Sequence, residues 1–322
     1  MTQVKDAIAY KLSRDQYHLY FDPLEPPRLT VPSGARVLVE TEDALFGTVR
    51  SGGDGYRSLK DILEKLGGAN PVTGPIYVEG VEPGDCVATT IESIVPGPVT
   101  GEGFTGITPG LGGLQSQYSL QPDLERVTRI CSIRDGTVFL RTAKGVIEIP
   151  CAPFIGAIGV APRGERRLSV WQGAEFLGNS DLPLNGPGST IVLRANVPGG
   201  LLSLGDVHAA QGDGEISGTA IECQADVQIR VDRIPKEESQ YIALPQVNTE
   251  RTIGSIACFN GVHVADLVRA AYIDVIKRMV KYYGFELSDA VMVAAQTCRV
   301  TVGQMVDPTY CAAVTIDRTY LG

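Results

Sequence analysis

Short β-branched runs separated by glycine and proline turns dominate the first two thirds of this 322-residue chain. The clearest is 225–231, where Ala, Val, Ile and Val alternate with Asp, Gln and Arg, as in a strand with one face in solvent. Glycine (37) and proline (20) together exceed a sixth of the chain and supply turns between such runs. There is no strand–helix–strand alternation and no Gly-x-Gly-x-x-Gly motif, which argues against a nucleotide-binding α/β fold. We predict an α+β fold that is mostly β and built from antiparallel sheets.

Helical signals concentrate near the C-terminus. The run 264–283 repeats apolar residues at helical spacing and stops at Gly284. Ser288 is predicted to cap a second helix over 289–297, with a strand following it. We therefore divide the chain into a mainly β portion, residues 1–235, and an α+β C-terminal portion, residues 236–322, packed against it; a single domain is the alternative.

The negative net charge argues against two classes of binding partner, nucleic acids and anionic membranes. A formal net charge of -9 offers no basic face for nucleic acid or for an anionic membrane. No run is long and apolar enough to cross a bilayer, and the opening Met-Thr-Gln-Val-Lys-Asp has no signal-peptide core. We expect a cytoplasmic protein with no nucleic-acid partner and no membrane partner.

The cysteines indicate a reducing compartment. There are seven, scattered along the chain, and no two have the Cys-x-x-Cys spacing of a zinc ribbon or a thioredoxin site. Most lie in apolar runs, which is typical of buried free thiols. Cys151, in Ile-Pro-Cys-Ala-Pro-Phe, is retained as a candidate nucleophile, although no His or Lys lies near it in sequence.

Asp206 and His208 stand two residues apart at the end of an apolar strand. If the strand persists, both side chains project from the same face. Such a pair can bind a divalent metal, or the carboxylate can orient the imidazole as a base. The other two histidines, His18 and His263, are interpreted as structural or surface residues.

The turn that follows gathers further polar side chains. Glycines at 212 and 214 admit backbone conformations closed to other residues, so Gln211, Asp213 and Glu215 can crowd one turn. A solvated hairpin is the alternative interpretation of this turn. Glu222 then falls between Ile and Cys, where a carboxylate must be paired, protonated or metal-bound because an unpaired buried charge is too costly.

Several blocks, in order along most of the chain, resemble the acetamidase/formamidase family. Residues 205–222 are similar to the family signature and residues 70–85 to its upstream block. Further similar blocks cover 39–43, 156–162, 178–181 and 299–308. There are two departures: Leu177 stands where the resemblance leads us to expect glycine, and 44–47 is a variant of the loop after the first acidic strand. Both departures could line the substrate pocket.

The resemblance implies a mostly β fold with a jelly-roll-like portion and a smaller α+β portion, in a homo-oligomer (dimer or higher). It implies hydrolysis of a short aliphatic amide, such as formamide or acetamide, to the acid and ammonia. It also suggests a divalent metal, with zinc as the candidate.

The chemistry of amide hydrolysis then suggests roles for individual residues. No Gly-x-Ser-x-Gly elbow or other familiar nucleophile pattern occurs, so metal-activated water is the simplest nucleophile. As metal ligands we predict Asp206, His208 and Asp43. As catalytic residues we predict Glu215, the general base and proton donor, and Asp213. As substrate-binding residues we predict Asn70, Asn179, Asp181 and Gln211.

Three alternatives stay open. In a metal-free mechanism His208 is the base, Asp206 orients it and a residue such as Cys151 attacks. The chain could instead be a β-rich small-molecule-binding protein without chemistry. It could also be a hydrolase of a bulkier amide or a carbamate.

Overall fold

The computed structural model describes residues 8–114, 124–306 and 309–322. Within these ranges the chain is mostly strand, and the strands follow one another in this order: β1 (Tyr10–Leu12), β2 (Tyr17–His18), β3 (Tyr20–Phe21), β4 (Leu29–Val31), β5 (Ala35–Thr41), β6 (Val72–Val78), β7 (Cys86–Pro96), β8 (Glu102–Ile107), β9 (Val127–Arg134), β10 (Thr137–Thr142), β11 (Gly145–Pro150), β12 (Phe154–Gly159), β13 (Arg167–Leu168), β14 (Gln172–Gly173), β15 (Leu177–Asn179), β16 (Ser189–Arg194), β17 (Leu202–His208), β18 (Glu222–Cys223), β19 (Ala225–Ile234), β20 (Gln246–Thr249), β21 (Thr252–Asn260), β22 (Arg299–Val302) and β23 (Thr309–Asp317). The helices are α1 (Leu59–Leu66), α2 (Val264–Tyr283), α3 (Leu287–Thr297) and a 3-10 turn at Arg318–Tyr320.

Two large sheets organise the molecule. One has nine strands in the order β1-β5-β19-β7-β16-β20-β21-β23-β22. The other has twelve, of which nine follow the path β11-β10-β9-β8-β18-β17-β12-β15-β14, while β6 joins β17 and carries β2 and β4. Pairing is antiparallel except for β1 with β5 and β4 with β6. The predicted α+β, mostly β fold is confirmed.

The main core lies between the two sheets. Residues of β5 alternate between buried and half-buried, as a strand with one covered face does. Its Val37 and Val39 belong to one apolar cluster with Ile155 of β12 and Leu204 of β17, which lie in the other sheet. Strands β12 and β17 are buried along their whole length, so polar side chains on them are removed from solvent.

The C-terminal helices cover the nine-stranded sheet. Leu267, Ala271 and Val275 of α2 pack in a second apolar cluster with Ala257 of β21 and Val314 of β23. The chain-wide division predicted at 235/236 falls between β19 and β20, yet the sheet continues across it through the β16–β20 pairing. The two-portion division therefore stays a prediction. None of the helices in the described ranges has the sustained hydropathy of a membrane-spanning segment.

Local predictions succeed where caps are unambiguous. Helix α2 has the predicted bounds, and Gly284 ends it in the left-handed conformation. Helix α3 begins two residues earlier than predicted, with Glu286 rather than Ser288 at the N-cap position. The glycine-rich stretch 101–113 contains β8, because its residues pair with β9 along six positions.

Candidate active site

The site forms where β17 meets its neighbours. Strand β17 pairs with β12 on one side and with β18 on the other, which places His208 opposite Phe154 and opposite Glu222. The ring of Phe154 meets the His208 imidazole edge-on at 5.0 Å. Four carboxylates converge there with the imidazole: Asp181, Asp206, Glu215 and Glu222, all of them buried. We call these five residues the acidic cluster.

The two ring nitrogens of His208 face different partners. Nδ1 lies 2.8 Å from Oε1 of Gln211. The amide nitrogen of Gln211 donates to the carbonyls of Asp181 and Gly303, each at 2.9 Å, which identifies its Oε1 as the acceptor. Nδ1 therefore carries the hydrogen. Nε2 is turned toward the carboxylates.

Nε2 of His208 has three carboxylate oxygens nearby. It lies 3.3 Å from Oε2 of Glu222, 3.6 Å from Oδ2 of Asp206 and 3.8 Å from Oδ1 of Asp181. Side-chain amides hold the two aspartates, because Asn70 donates to Asp206 at 2.7 Å and Asn179 donates to Asp181 at 2.8 Å. Asn70 also donates to Asn179 at 3.1 Å, so the two amides form one network.

Three oxygens of the acidic cluster are buried without a hydrogen-bond partner in the described part of the chain: Asp181 Oδ1, Asp206 Oδ1 and Glu222 Oε2. Unsatisfied buried carboxylate oxygens are costly unless a cation or proton compensates them. Asp181, Asp206 and His208 form one group of potential metal ligands whose atoms lie within 4.8 Å of one another, and His208, Glu215 and Glu222 form another. Carboxylate oxygen and imidazole nitrogen are ligands of zinc and of other divalent ions, so the residues present fit a metal.

The pKa values follow from burial and mutual repulsion. Burial, and then the charge of Asp206, raises the pKa of Asp181 well above its usual range. Burial and the charge of Asp181 do the same for the pKa of Glu215, and burial raises the pKa of Glu222. Burial alone would lower the pKa of His208, but the charges of Glu222 and Asp206 together raise it well above its usual value. Such a cluster attracts either protons or a cation.

The backbone around the acidic cluster is unusual. Asn70, Asp181, Asp206 and Glu215 all have positive φ, between 44° and 55°. Non-glycine residues adopt this region rarely, and such strain concentrates at functional sites. Gly156 of β12 has no room for a side chain, since a Cβ there would lie 2.7 Å from Oδ1 of Asp181 and 2.8 Å from Oδ2 of Asp206.

A cavity of about 140 Å³ opens onto the acidic cluster. Asp181, Glu215 and Glu222 line it, whereas His208 and Asp206 are not among its lining residues. His208 and Asp206 lie behind these three carboxylates as seen from the cavity. A small molecule in the cavity therefore contacts Asp181, Glu215 and Glu222 first.

The family is settled by comparison with known sequences. The model of the Acetamidase/Formamidase family matches residues 8–175 and 169–319, nearly the whole chain. The chain belongs to the Acetamidase/Formamidase family.

Other members are similar in sequence and structure. The crystal structure of an acetamidase from Yersinia enterocolitica aligns with a TM-score of 0.87 at 34% identity, covering 97% of this chain and 93% of that one. An acetamidase of Mycolicibacterium smegmatis is 28% identical over 279 residues, 70% of this chain and 68% of that protein. A candidate formamidase of Schizosaccharomyces pombe is 25% identical over 262 residues, 66% of this chain. The match spans 63% of the yeast protein, just under two thirds of its length.

Most of the residues predicted for an acetamidase/formamidase site do converge. Asp206, His208 and Glu215 lie in the acidic cluster, together with Asp181, which we predicted as a substrate-binding residue. Gln211 contacts His208 and is not among the cavity-lining residues. Asn70 and Asn179 line the cavity, but their amide nitrogens point to carboxylates.

Two predicted residues lie elsewhere. Asp43 belongs to neither ligand group of the described residues; its Oδ1 accepts from the backbone of Leu45 and Gly47, and its Oδ2 pairs with Arg50 at 3.0 Å. The carboxylate thus stabilises the loop after β5. Asp213 is exposed, because its turn directs only Glu215 inward.

Glu222 is the one member of the acidic cluster that was given no predicted role as ligand, catalytic residue or substrate-binding residue. The signal was present in sequence, because a carboxylate between two apolar residues on a strand needs a partner. Gln304 was not foreseen at all: it lines the cavity and donates to the carbonyl of Asn179 at 2.7 Å. It comes from the segment between β22 and β23. No local sequence pattern predicts that this segment reaches the cavity.

The two departures from the family pattern behave differently. Ala44 and Leu45, in the variant loop, line the cavity. Leu177 is fully buried in the main core and does not line it, so that part of the expectation is wrong. Its φ of 68° explains why glycine is expected there.

Cys151 has surroundings that do not favour a nucleophile. Burial raises the pKa of its thiol, and its Sγ donates to the carbonyl of Ala209 at 3.4 Å. It is not among the residues that line the cavity. A thiolate would be needed for attack, and this environment disfavours one.

Proposed function

We propose that this protein hydrolyses a primary carboxamide to a carboxylic acid and ammonia at the acidic cluster. The observation that carries the proposal is the buried set of four carboxylates and one imidazole at the end of a cavity, in a chain of the Acetamidase/Formamidase family. Short aliphatic amides such as formamide and acetamide are the first substrates to test. A homo-oligomeric assembly stays a prediction.

Asp181, Asp206 and His208, with Glu215 and Glu222 beside them, would hold a divalent cation, zinc being our candidate. Bound there, the cation would supply Lewis acidity for the amide carbonyl and lower the pKa of water. The hydrogen bond of Nδ1 of His208 to Gln211 supports this assignment, because it leaves Nε2 as the nitrogen that would bind a cation after losing its own proton.

Glu215 is the proposed proton carrier. It lines the cavity, and its raised pKa suits a carboxylate that takes a proton from water and returns it to the leaving nitrogen. Asn70 donates to Asp206 and Asn179 donates to Asp181. We therefore assign both amides a positioning role in place of the predicted contact with substrate. Asp213, exposed in the same turn, becomes the natural control.

The test is ammonia release from formamide, acetamide, propionamide and larger primary amides. We expect turnover by the wild type, a loss of about 100-fold or more in kcat for Glu215→Gln, and near-normal kcat for Asp213→Asn. Exhaustive chelation should abolish turnover and a divalent cation should restore it. If the wild type released no ammonia from any of these amides, hydrolysis would be refuted and a binding role favoured. Turnover that survives chelation but not thiol alkylation would instead favour the metal-free mechanism through Cys151.

A further inference from the structure

We propose that the enzyme prefers primary amides with an apolar acyl chain of about four carbons, so that the whole substrate has about the size of benzene. This inference rests on the amide hydrolysis proposed above and concerns the acyl side of the same cavity. It departs from the formamide- and acetamide-sized substrates that the family resemblance suggests.

Polar and apolar side chains of the cavity are contributed by different parts of the chain. The carboxylates and side-chain amides of the lining come from Asp181, Glu215, Glu222, Asn70, Asn179 and Gln304. The amide group must lie against them, since the carboxylates that would carry the chemistry are there. The acyl group then extends toward the other lining residues, which are mainly apolar: Leu45, Val49, Ile62, Phe104, Val127 and Trp171.

These apolar residues come from separate elements that converge on one space. Leu45 and Val49 lie in the loop after β5, Ile62 in α1, Phe104 in β8 and Val127 in β9. An apolar wall with a few polar groups at one end is the usual form of a site for a small organic ligand. Water in contact with such an apolar wall is unfavourable, so an apolar ligand that displaces it gains binding free energy.

The size of the cavity favours a larger acyl group. Its volume is about 140 Å³. An apolar cavity of about 150 Å³ is enough to hold benzene. Formamide has half as many non-hydrogen atoms as benzene and would leave much of the space to water against apolar side chains.

Among the described residues that line the cavity, one charged residue lies outside the acidic cluster. Arg126 is exposed, and its guanidinium lies 3.4 Å from the carbonyl of Asp54. It could pair with a carboxylate carried by the acyl group. Because the rest of the wall carries no other charge among the described residues and is mainly apolar, we assign the acyl group as uncharged and use a charged substrate as a competitor in the test.

The experiment measures kcat/KM for primary amides from formamide to hexanamide, with benzamide and succinamate added. Each buried methylene should raise kcat/KM about fourfold. From acetamide to butanamide the rise should be on the order of tenfold, and it should level off for longer chains. If formamide or acetamide had the highest kcat/KM of the series, this preference for a larger acyl group would be overturned, while the proposal of amide hydrolysis would stand. A preference for succinamate over pentanamide would overturn the apolar assignment. No turnover of any amide would instead count against the proposed function itself.

A substitution that fills part of the cavity provides a second test of the proposal. Val127→Phe places extra volume in the half-buried wall, and we expect the butanamide-to-acetamide ratio of kcat/KM to fall about tenfold. Val146→Phe is the matched control, on the exposed strand β11, and should leave that ratio unchanged. If Val127→Phe does not fold, Leu45→Phe carries the same test from the loop after β5. An unchanged ratio in the folded wall variant contradicts the proposal.

Discussion

Nδ1 of His208 is held by Oε1 of Gln211, whose own amide nitrogen is fixed by two backbone carbonyls. The orientation of the imidazole is thus determined by the protein alone, before any ligand arrives. The ring can neither flip nor exchange its tautomer without breaking this chain of hydrogen bonds. Catalysis and cation binding should therefore depend on a residue that is not among those lining the cavity.

Removing the side-chain amide of Gln211 tests that dependence. We expect Gln211→Ala to lower cation affinity and kcat by about 10- to 100-fold, because the partner that orients a ligating histidine is lost. Calorimetric titration with zinc and steady-state kinetics measure the two effects. The control is Gln228→Ala on β19, which removes a glutamine hydrogen-bonded to Glu92 away from the site. Equal losses in both variants would show a general rather than a site-specific effect.

A methyl group at position 156 should disrupt the acidic cluster. Its Cβ would lie 2.7 Å from Oδ1 of Asp181, so the carboxylate or the strand must move. We expect Gly156→Ala to reduce activity by about 100-fold or more, since misplacement of about 1 Å at a catalytic centre is sufficient for that. Gly212→Ala is the matched control, because a Cβ there meets no atom of the described residues within 4 Å. Normal kinetics of Gly156→Ala would contradict the geometry.

The stability of the metal-free protein should fall as pH rises. The pKa values of Asp181, Glu215, Glu222 and His208 are all raised in the folded state. The folded state therefore binds more protons than the unfolded state, and unfolding free energy decreases with pH. We expect Tm of the chelated protein to drop between about pH 5 and pH 8, and a bound divalent cation to reduce that dependence.

Calorimetry with and without chelator measures this difference. Glu222→Gln removes one titrating group and should flatten the slope in the chelated protein. A Tm that rises with pH over the same range, without cation, would contradict the direction of these pKa values.

Asp43 distinguishes a structural carboxylate from a ligand. Its oxygens accept two backbone N–H groups and pair with Arg50, so Asp43→Ala should lower the free energy of unfolding by about 1–3 kcal/mol. Cation affinity should change little, in contrast to Asp206→Ala. Urea unfolding and zinc titration of both variants provide the comparison. A loss of cation affinity in Asp43→Ala comparable to that in Asp206→Ala would restore its predicted role as a ligand.

The sequence predicted those parts of the molecule that depend on local patterns. Alternation indicated β19, and a glycine stop fixed the end of α2. The Asp-x-His pair was recognised because both residues lie on one strand. Asp181 and Gln304 could not be assigned in this way, since they join the site through pairings more than 20 residues apart in sequence. Asp43 lies outside both ligand groups of the described residues, because acidic residues at strand ends also accept hydrogen bonds from the loop that follows.

The left-handed backbone at Asn70, Asp181, Asp206 and Glu215 has a consequence for protein design. Grafting these side chains onto another β scaffold would not reproduce the site, because an ordinary strand aims the same side chains elsewhere. The scaffold would also have to meet a conformational cost of about 1–3 kcal/mol at each such position. A successful transplant would need to carry the irregular peptide segments together with the residues they present.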